Sequence, residues 1–192
     1  MAFDDPIARP QVTDIPQIRL SGSIDDGTLS AFNTQLAGVA PGDVPITVEL
    51  STLGGDAEVG RRLALEAKIA ARSLAPRTLL FLGKTTVFSA GVTMMSGFPR
   101  DHRFLTEDTV LLIHCRQLQK TIEIQTSLRG AKLQIGQILS EIENGLRVEK
   151  EDFAALIADS DVSMDELLER AGTNWYVPAR EALDRGLIGG IV

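Results

Sequence analysis

The chain has 192 residues, 44% hydrophobic and 23% charged, a balance that suits one folded domain with a sizeable core. A formal net charge of −7 argues against a basic nucleic-acid or anionic-membrane surface. The single cysteine, Cys115, excludes an internal disulfide and a cysteine-rich zinc site. No apolar run reaches the roughly 18 residues that span a bilayer.

The opening MAFDDPIARPQ has neither a basic start nor an apolar run, so it does not read as a secretory signal, and a cytoplasmic location is expected. Residues 1–16, with Pro6, Pro10 and Pro16, read as an N-terminal arm ahead of a single domain over 17–192. The stretch QIRLSGSI at 17–24 alternates like a strand. Leu29, Phe32, Leu36 and Val39 then recur at helical spacing, with Asp26 and Thr28 as cap candidates, and Pro41-Gly42 ends the helix. PITVELST at 45–52 is a strand, Leu53 to Asp56 a turn, and 57–74 a strongly amphipathic helix. RTLLFLG at 77–83 reads as a buried strand, Ser89 to Phe98 as a short helix, and TVLLIH at 109–114 as another buried strand. This β-α-β-α-β-α-β order calls for an α/β fold with a parallel sheet and helices on its faces.

From Gln117 to Leu156 the pattern changes to a long, charged, helix-forming run that Gly145 could interrupt. SMDELLERA at 163–171 is a second helix, with Ser163 and Glu166 at the spacing of a capping box. An extended piece from Thr173, a short helix from Pro178 and a final strand at 187–192 complete the chain.

Ligands of open α/β sheets bind at the C-terminal ends of the strands, and three features fall there. Gly54-Gly55 is either a plain tight turn or a place where backbone approaches a ligand closely. Ser89 opens a helix beside Ala90 and Gly91, so it suits both a helix N-cap and a nucleophile with small neighbours and nearby N–H donors. It is not a G-x-S-x-G elbow, because position 87 is valine. His114 ends an apolar strand, as a buried histidine satisfied by backbone or as a base. His102, in RDHR at 100–103, reads as a solvated loop residue, and Cys115 as a small core residue pointing away from its neighbour His114.

Taken in order, these features resemble the proteolytic subunit of the Clp protease, a serine peptidase of the crotonase-like superfamily. STLGG at 51–55 resembles its Ser-Pro-Gly-Gly turn, with Leu53 in place of proline. FSAGV at 88–92 resembles the nucleophile motif, LLIH at 111–114 the strand that ends on the catalytic histidine, and AREALDRGLIGGIV at 179–192 the chain end. The interval from Ser89 to His114 also resembles the family's.

The resemblance implies a crotonase-like, ClpP-like fold: repeated β-β-α-type units on a mostly parallel sheet, flanking helices, and a protruding long handle helix in the region of about 117–158. It implies Ser89 as nucleophile, His114 as general base, Asn174 where the family has aspartate, and the N–H groups of Gly55 and Ala90 as the oxyanion hole. An asparagine still orients the imidazole but cannot offset its positive charge, so a slower enzyme is expected. Asp161 and Asp165 lie nearby, off the motif.

No metal or cofactor is implied. The expected partners are a peptide or unfolded substrate, copies of the chain in a ring, and an AAA+ unfoldase or a paralogous subunit. CRQLQKTIEIQTSL at 115–128 lacks the family's proline and glycines and moves almost directly into helix, with Ile122-Glu123-Ile124 resembling the start of the handle. This segment bears on ring stacking and on substrate alignment. The alternatives are a catalytically weak or silent scaffold subunit and an acyl-CoA-processing enzyme of the same superfamily.

Overall fold

The computed structural model describes Val12 and residues 15–192. Most of the expected N-terminal arm, residues 1–11, 13 and 14, lies outside the described residues. The first half of the domain alternates strand and helix: β1 (Ile18–Ser21), α1 (Asp26–Ala37), β2 (Ile46–Thr52), α2 (Ala57–Ser73), β3 (Leu79–Phe88), α3 (Ala90–Met95). A short 3-10 turn at Arg100–His102 leads into β4 (Arg103–Leu105) and β5 (Val110–Ile113). The second half holds α4 (Leu128–Leu156), α5 (Met164–Ala171), β6 (Trp175–Pro178), α6 (Ala179–Asp184) and β7 (Gly190–Ile191).

The strands form one sheet in the order β1-β2-β3-β4-β7, every neighbour parallel. β3 forks this sheet. Its first part, Phe81–Gly83, pairs with β4, and its last part, Thr86–Phe88, pairs with β5. Between the two, Thr85 adopts φ 58° and the β2–β3 register shifts. β6 then adds to β5 as the one antiparallel neighbour. The sheet is therefore α/β and mostly parallel, as expected, but β3 runs on past Gly83. The β-branched run Thr85-Thr86-Val87 suits a strand, and it carries the chain to Ser89.

Local chemistry explains most of the helix boundaries. Asp25, rather than Asp26, caps α1: its carboxylate accepts from Thr28 N at 3.0 Å, while the Thr28 hydroxyl accepts from Asp25 N. Asp56 caps α2 by accepting from Glu58 N and Val59 N. Ser163 caps α5 through Glu166 N, but the box closes only halfway, because the Glu166 carboxylate is held by Arg185 at 2.9 and 2.7 Å.

The expected start of the long helix needs correction. Residues 114–127 are neither helix nor strand, and α4 begins only at Leu128, after Ser127 accepts from Gly130 N. Thr121, Ile122, Ile124 and Thr126 are β-branched and alternate with polar residues, a pattern that disfavours helix. Gly145 does not interrupt α4, which runs on to Leu156. Its first two-thirds, up to Arg147, holds no buried residue and projects about 30 Å. The last part packs on the domain through Val148, Glu149, Phe153 and Leu156.

Arg103 was not expected inside. Its neighbour His102 reads as a solvated loop residue, yet Arg103 is 2% exposed. Its guanidinium donates to the carbonyls of Phe98 (2.9 Å), Leu156 (2.7 Å), Leu187 (3.1 Å) and Ala155 (3.0 Å). These carbonyls lie just beyond α3, at the end of α4 and in the C-terminal segment, where backbone acceptors would otherwise lack partners. Burial lowers its pKa to about 10.

Candidate active site

Ser89 sits where β3 passes into α3, with φ 53° and ψ −115°. A non-glycine residue in that region stores strain of about 1–3 kcal/mol, and such strain clusters at functional sites. The strain is held by the backbone on both sides. Ser89 N donates to Leu112 O of β5 at 2.8 Å, and Ser89 O accepts from Val92 N and Thr93 N. The carbonyl thus starts α3, but the hydroxyl makes no capping bond. Of the two roles open to this serine in the sequence, the side-chain N-cap is absent.

The turn at Gly54-Gly55 comes against it from β2. A Cβ on Gly54, which has φ 106°, would lie 2.9 Å from Ser89 Cβ, so only glycine lets the turn approach this closely. Gly55 forms a parallel bridge with Ile24: Ile24 N donates to Gly54 O, and Asp56 N donates to Ile24 O. That bridge uses the groups of the flanking residues. The N–H of Gly55 has no partner among the described residues, nor does the N–H of Ala90, and both residues line one cavity with Ser89.

His114 lines the same cavity. It follows the last residue of β5, and the half-buried ring is fixed by its Nδ1, 2.7 Å from Cys115 O. A carbonyl only accepts, so Nδ1 is the protonated nitrogen, and in the neutral ring Nε2 keeps the lone pair. The backbone of Cys115 therefore orients the imidazole and sets its tautomer.

Asn174 is placed by the β5–β6 ladder. Ile113 pairs with Trp175, the last pair of the ladder, so Asn174 and His114 flank its end. Its φ is 64°, its side chain is exposed, and it lies off the cavity wall. No hydrogen bond joins Ser89 to His114, or His114 to Asn174, among the described residues. Asp161 is committed to Arg185 Nε at 2.7 Å. The half-buried Cys115 thiol is pushed up by burial and then by the Glu149 carboxylate, so it is a poor nucleophile.

The cavity, of about 500 Å³, has a wall that sequence reading missed. Glu149, Asp152, Phe153 and Leu156 of α4 line it, joined by Arg116 from the irregular segment after His114. The spacing i, i+3, i+4, i+7 is one helix face. It was present in the sequence, but its mixture of carboxylates and apolar residues hid it within a helix read as long and charged. Arg116 donates to Glu58 at 2.6 Å and to Asp152 at 3.1 Å, and its backbone N–H donates to Glu149. Burial raises the pKa of Asp152, against the lowering effect of Arg116 and Arg61. Among the described residues no cluster of three or more His, Cys, Asp or Glu is placed to hold a metal ion, and no helix is long and apolar enough to cross a membrane.

Among solved structures, the chain is similar to an asparagine-to-aspartate mutant of ClpP1 from Listeria monocytogenes, with a TM-score of 0.69 over 91% of this chain and 90% of that one. The fold is ClpP-like. Sequence identity to that protein is 19%, so the likeness is one of fold. No family model matches the sequence, and no curated protein does.

Proposed function

We propose that this chain is a Clp-like serine endopeptidase that cleaves short or unfolded polypeptides through an acyl-enzyme on Ser89. The observation that carries the reading is the strained Ser89, its hydroxyl free of any capping bond, in one cavity with His114 and with the N–H groups of Gly55 and Ala90, which have no partner among the described residues. Nε2 of His114 takes the Ser89 proton as Oγ attacks the scissile carbonyl. The N–H groups of Gly55 and Ala90 receive the developing oxyanion. His114 then passes its proton to the leaving amine, and water releases the acyl group by the reverse path. The ring is held from Nδ1 by Cys115 O, and Asn174 is the side chain that can take over that bond when the imidazole turns. The chemistry uses side chains and backbone alone, with no metal or cofactor.

The same reading includes a homo-oligomeric ring in the cytoplasm, fed by an AAA+ unfoldase or joined by a paralogous subunit. A fluorophosphonate probe tests the core of it. The wild type is expected to be labelled and Ser89→Ala not; equal labelling of both would sink the proposal.

A second reading, a catalytically silent scaffold subunit, is favoured by the absence, among the described residues, of a Ser89–His114 hydrogen bond and by the exposed Asn174 side chain. It expects no labelling of the chain alone and co-purification with a second Clp-like subunit. Catalytic hydrogen bonds often tighten only when substrate is bound, which keeps the peptidase first.

A further inference from the structure

Beyond Ser89 and His114, the cavity is walled by the α4 face described above. Phe153 and Leu156, with Val92 of α3, make part of that wall apolar. Glu149 is 5% exposed. Its Oε2 accepts the Arg116 backbone N–H, its Oε1 makes no hydrogen bond among the described residues, and the residue lines the cavity. A largely buried carboxylate with one oxygen free to accept favours a charged donor in the cavity.

Among the described residues no side-chain cation is paired with it. The Arg116 guanidinium is committed to Glu58 and Asp152, and Arg61 Nε lies 2.9 Å from Asp152 Oδ1. Among the cavity's lining residues Asp56, Glu58, Glu149 and Asp152 face Arg116 as the only permanent cation. The space thus combines an apolar wall with a negative end, which is the complement of a long methylene stem carrying a positive head.

We propose that this cavity is a specificity subsite for a lysine or arginine side chain, the one belonging to the residue whose carbonyl Ser89 attacks. The stem lies along Phe153, Leu156 and Val92, and the cationic head meets Glu149 Oε1. The inference rests on the peptidase reading for the reaction, but not for the binding.

Two measurements separate the two. The first uses acetyl-tripeptide coumarin amides that differ only in a last residue of Lys, Arg, Leu or Glu. Wild type is expected to favour Lys and Arg over Leu by about tenfold or more in kcat/KM. In Glu149→Gln, whose amide oxygen still accepts the Arg116 N–H, that ratio is expected to fall toward one. Glu149→Asp, which keeps the charge, is expected to retain part of the preference. The second measures binding of acetyl-tripeptide amides ending in Lys or Leu to Ser89→Ala, by calorimetry. The lysine peptide is expected to bind about tenfold more tightly, and Ser89→Ala/Glu149→Gln to lose the difference.

Equal binding of the two peptides to Ser89→Ala, or a preference unchanged by Glu149→Gln, overturns the subsite. Glu149-dependent lysine binding without hydrolysis of any substrate upholds the subsite and overturns the peptidase reading.

Discussion

Asparagine and aspartate are nearly the same shape and differ by a full charge, and at position 174 that difference is testable. Where a carboxylate is the sole group holding the catalytic imidazole, replacing it by an amide costs about 10⁴ in kcat because the wrong tautomer results. Here Cys115 O already holds Nδ1. Asn174→Ala is therefore expected to lower kcat/KM by less than about tenfold. Asn174→Asp, which with His114 flanks the last β5–β6 pair, is expected to raise it by about tenfold, since a carboxylate there also offsets the imidazolium. Steady-state kinetics on one peptide substrate decides both; a drop near 10⁴ for Asn174→Ala would show that Asn174, and not the Cys115 carbonyl, is the working partner. At this scale strand ends and a glycine turn marked Gly54-Gly55, Ser89 and His114 as candidates, and only the resemblance added Ala90 as a donor and Asn174 as third member. The Cys115 carbonyl left none, since a backbone acceptor has no sequence signature. Glu149 was equally hidden, because a carboxylate turned inward and one turned to solvent are spelled alike.

Among the elements, β4 and α4 show where periodicity stops being informative. β4 is three residues long, too short for alternation to register. Its Arg103 does the work of three helix or segment ends at once, through carbonyls contributed by residues before and far after it. Arg103→Met removes a buried charge and leaves those carbonyls without donors. It is expected to lose about 3–5 kcal/mol of stability, read as a lower urea midpoint with an unchanged slope. A loss below about 1 kcal/mol would mean that water or rearranged backbone satisfies those acceptors instead. In α4 the apolar spacing correctly announced a long helix. The start was missed because charge and length suggested helix for residues 117–127, while the β-branched alternation at 121–126 opposed it; Ser127 supplied the cap that settled the boundary.

On the scale of the whole molecule, the projecting part of α4 has a use only if something meets it. Ile135, Leu139, Ile142 and Leu146 recur at i, i+4, i+7, i+11 and are all exposed, an apolar stripe on a helix that the domain itself does not cover. In the proposed homo-oligomer this stripe is an interface, so Leu139→Glu/Ile142→Glu is expected to sediment as a smaller species than wild type with its far-UV circular dichroism unchanged. Identical sedimentation of the two would remove α4 from the assembly. By itself the sequence determined the α/β alternation, the parallel sheet, the long helix and a set of candidate residues at strand ends, because hydrophobic period, glycine turns and caps act between residues close in the chain. Only the tertiary structure decided that β3 forks between two neighbours, that Arg103 ties carbonyls from three parts of the chain together, and that one face of α4 closes the cavity over Ser89. Each of these depends on which segments far apart in sequence come to share one space, and burial, not residue type, then sets what a charge or a hydroxyl can do there.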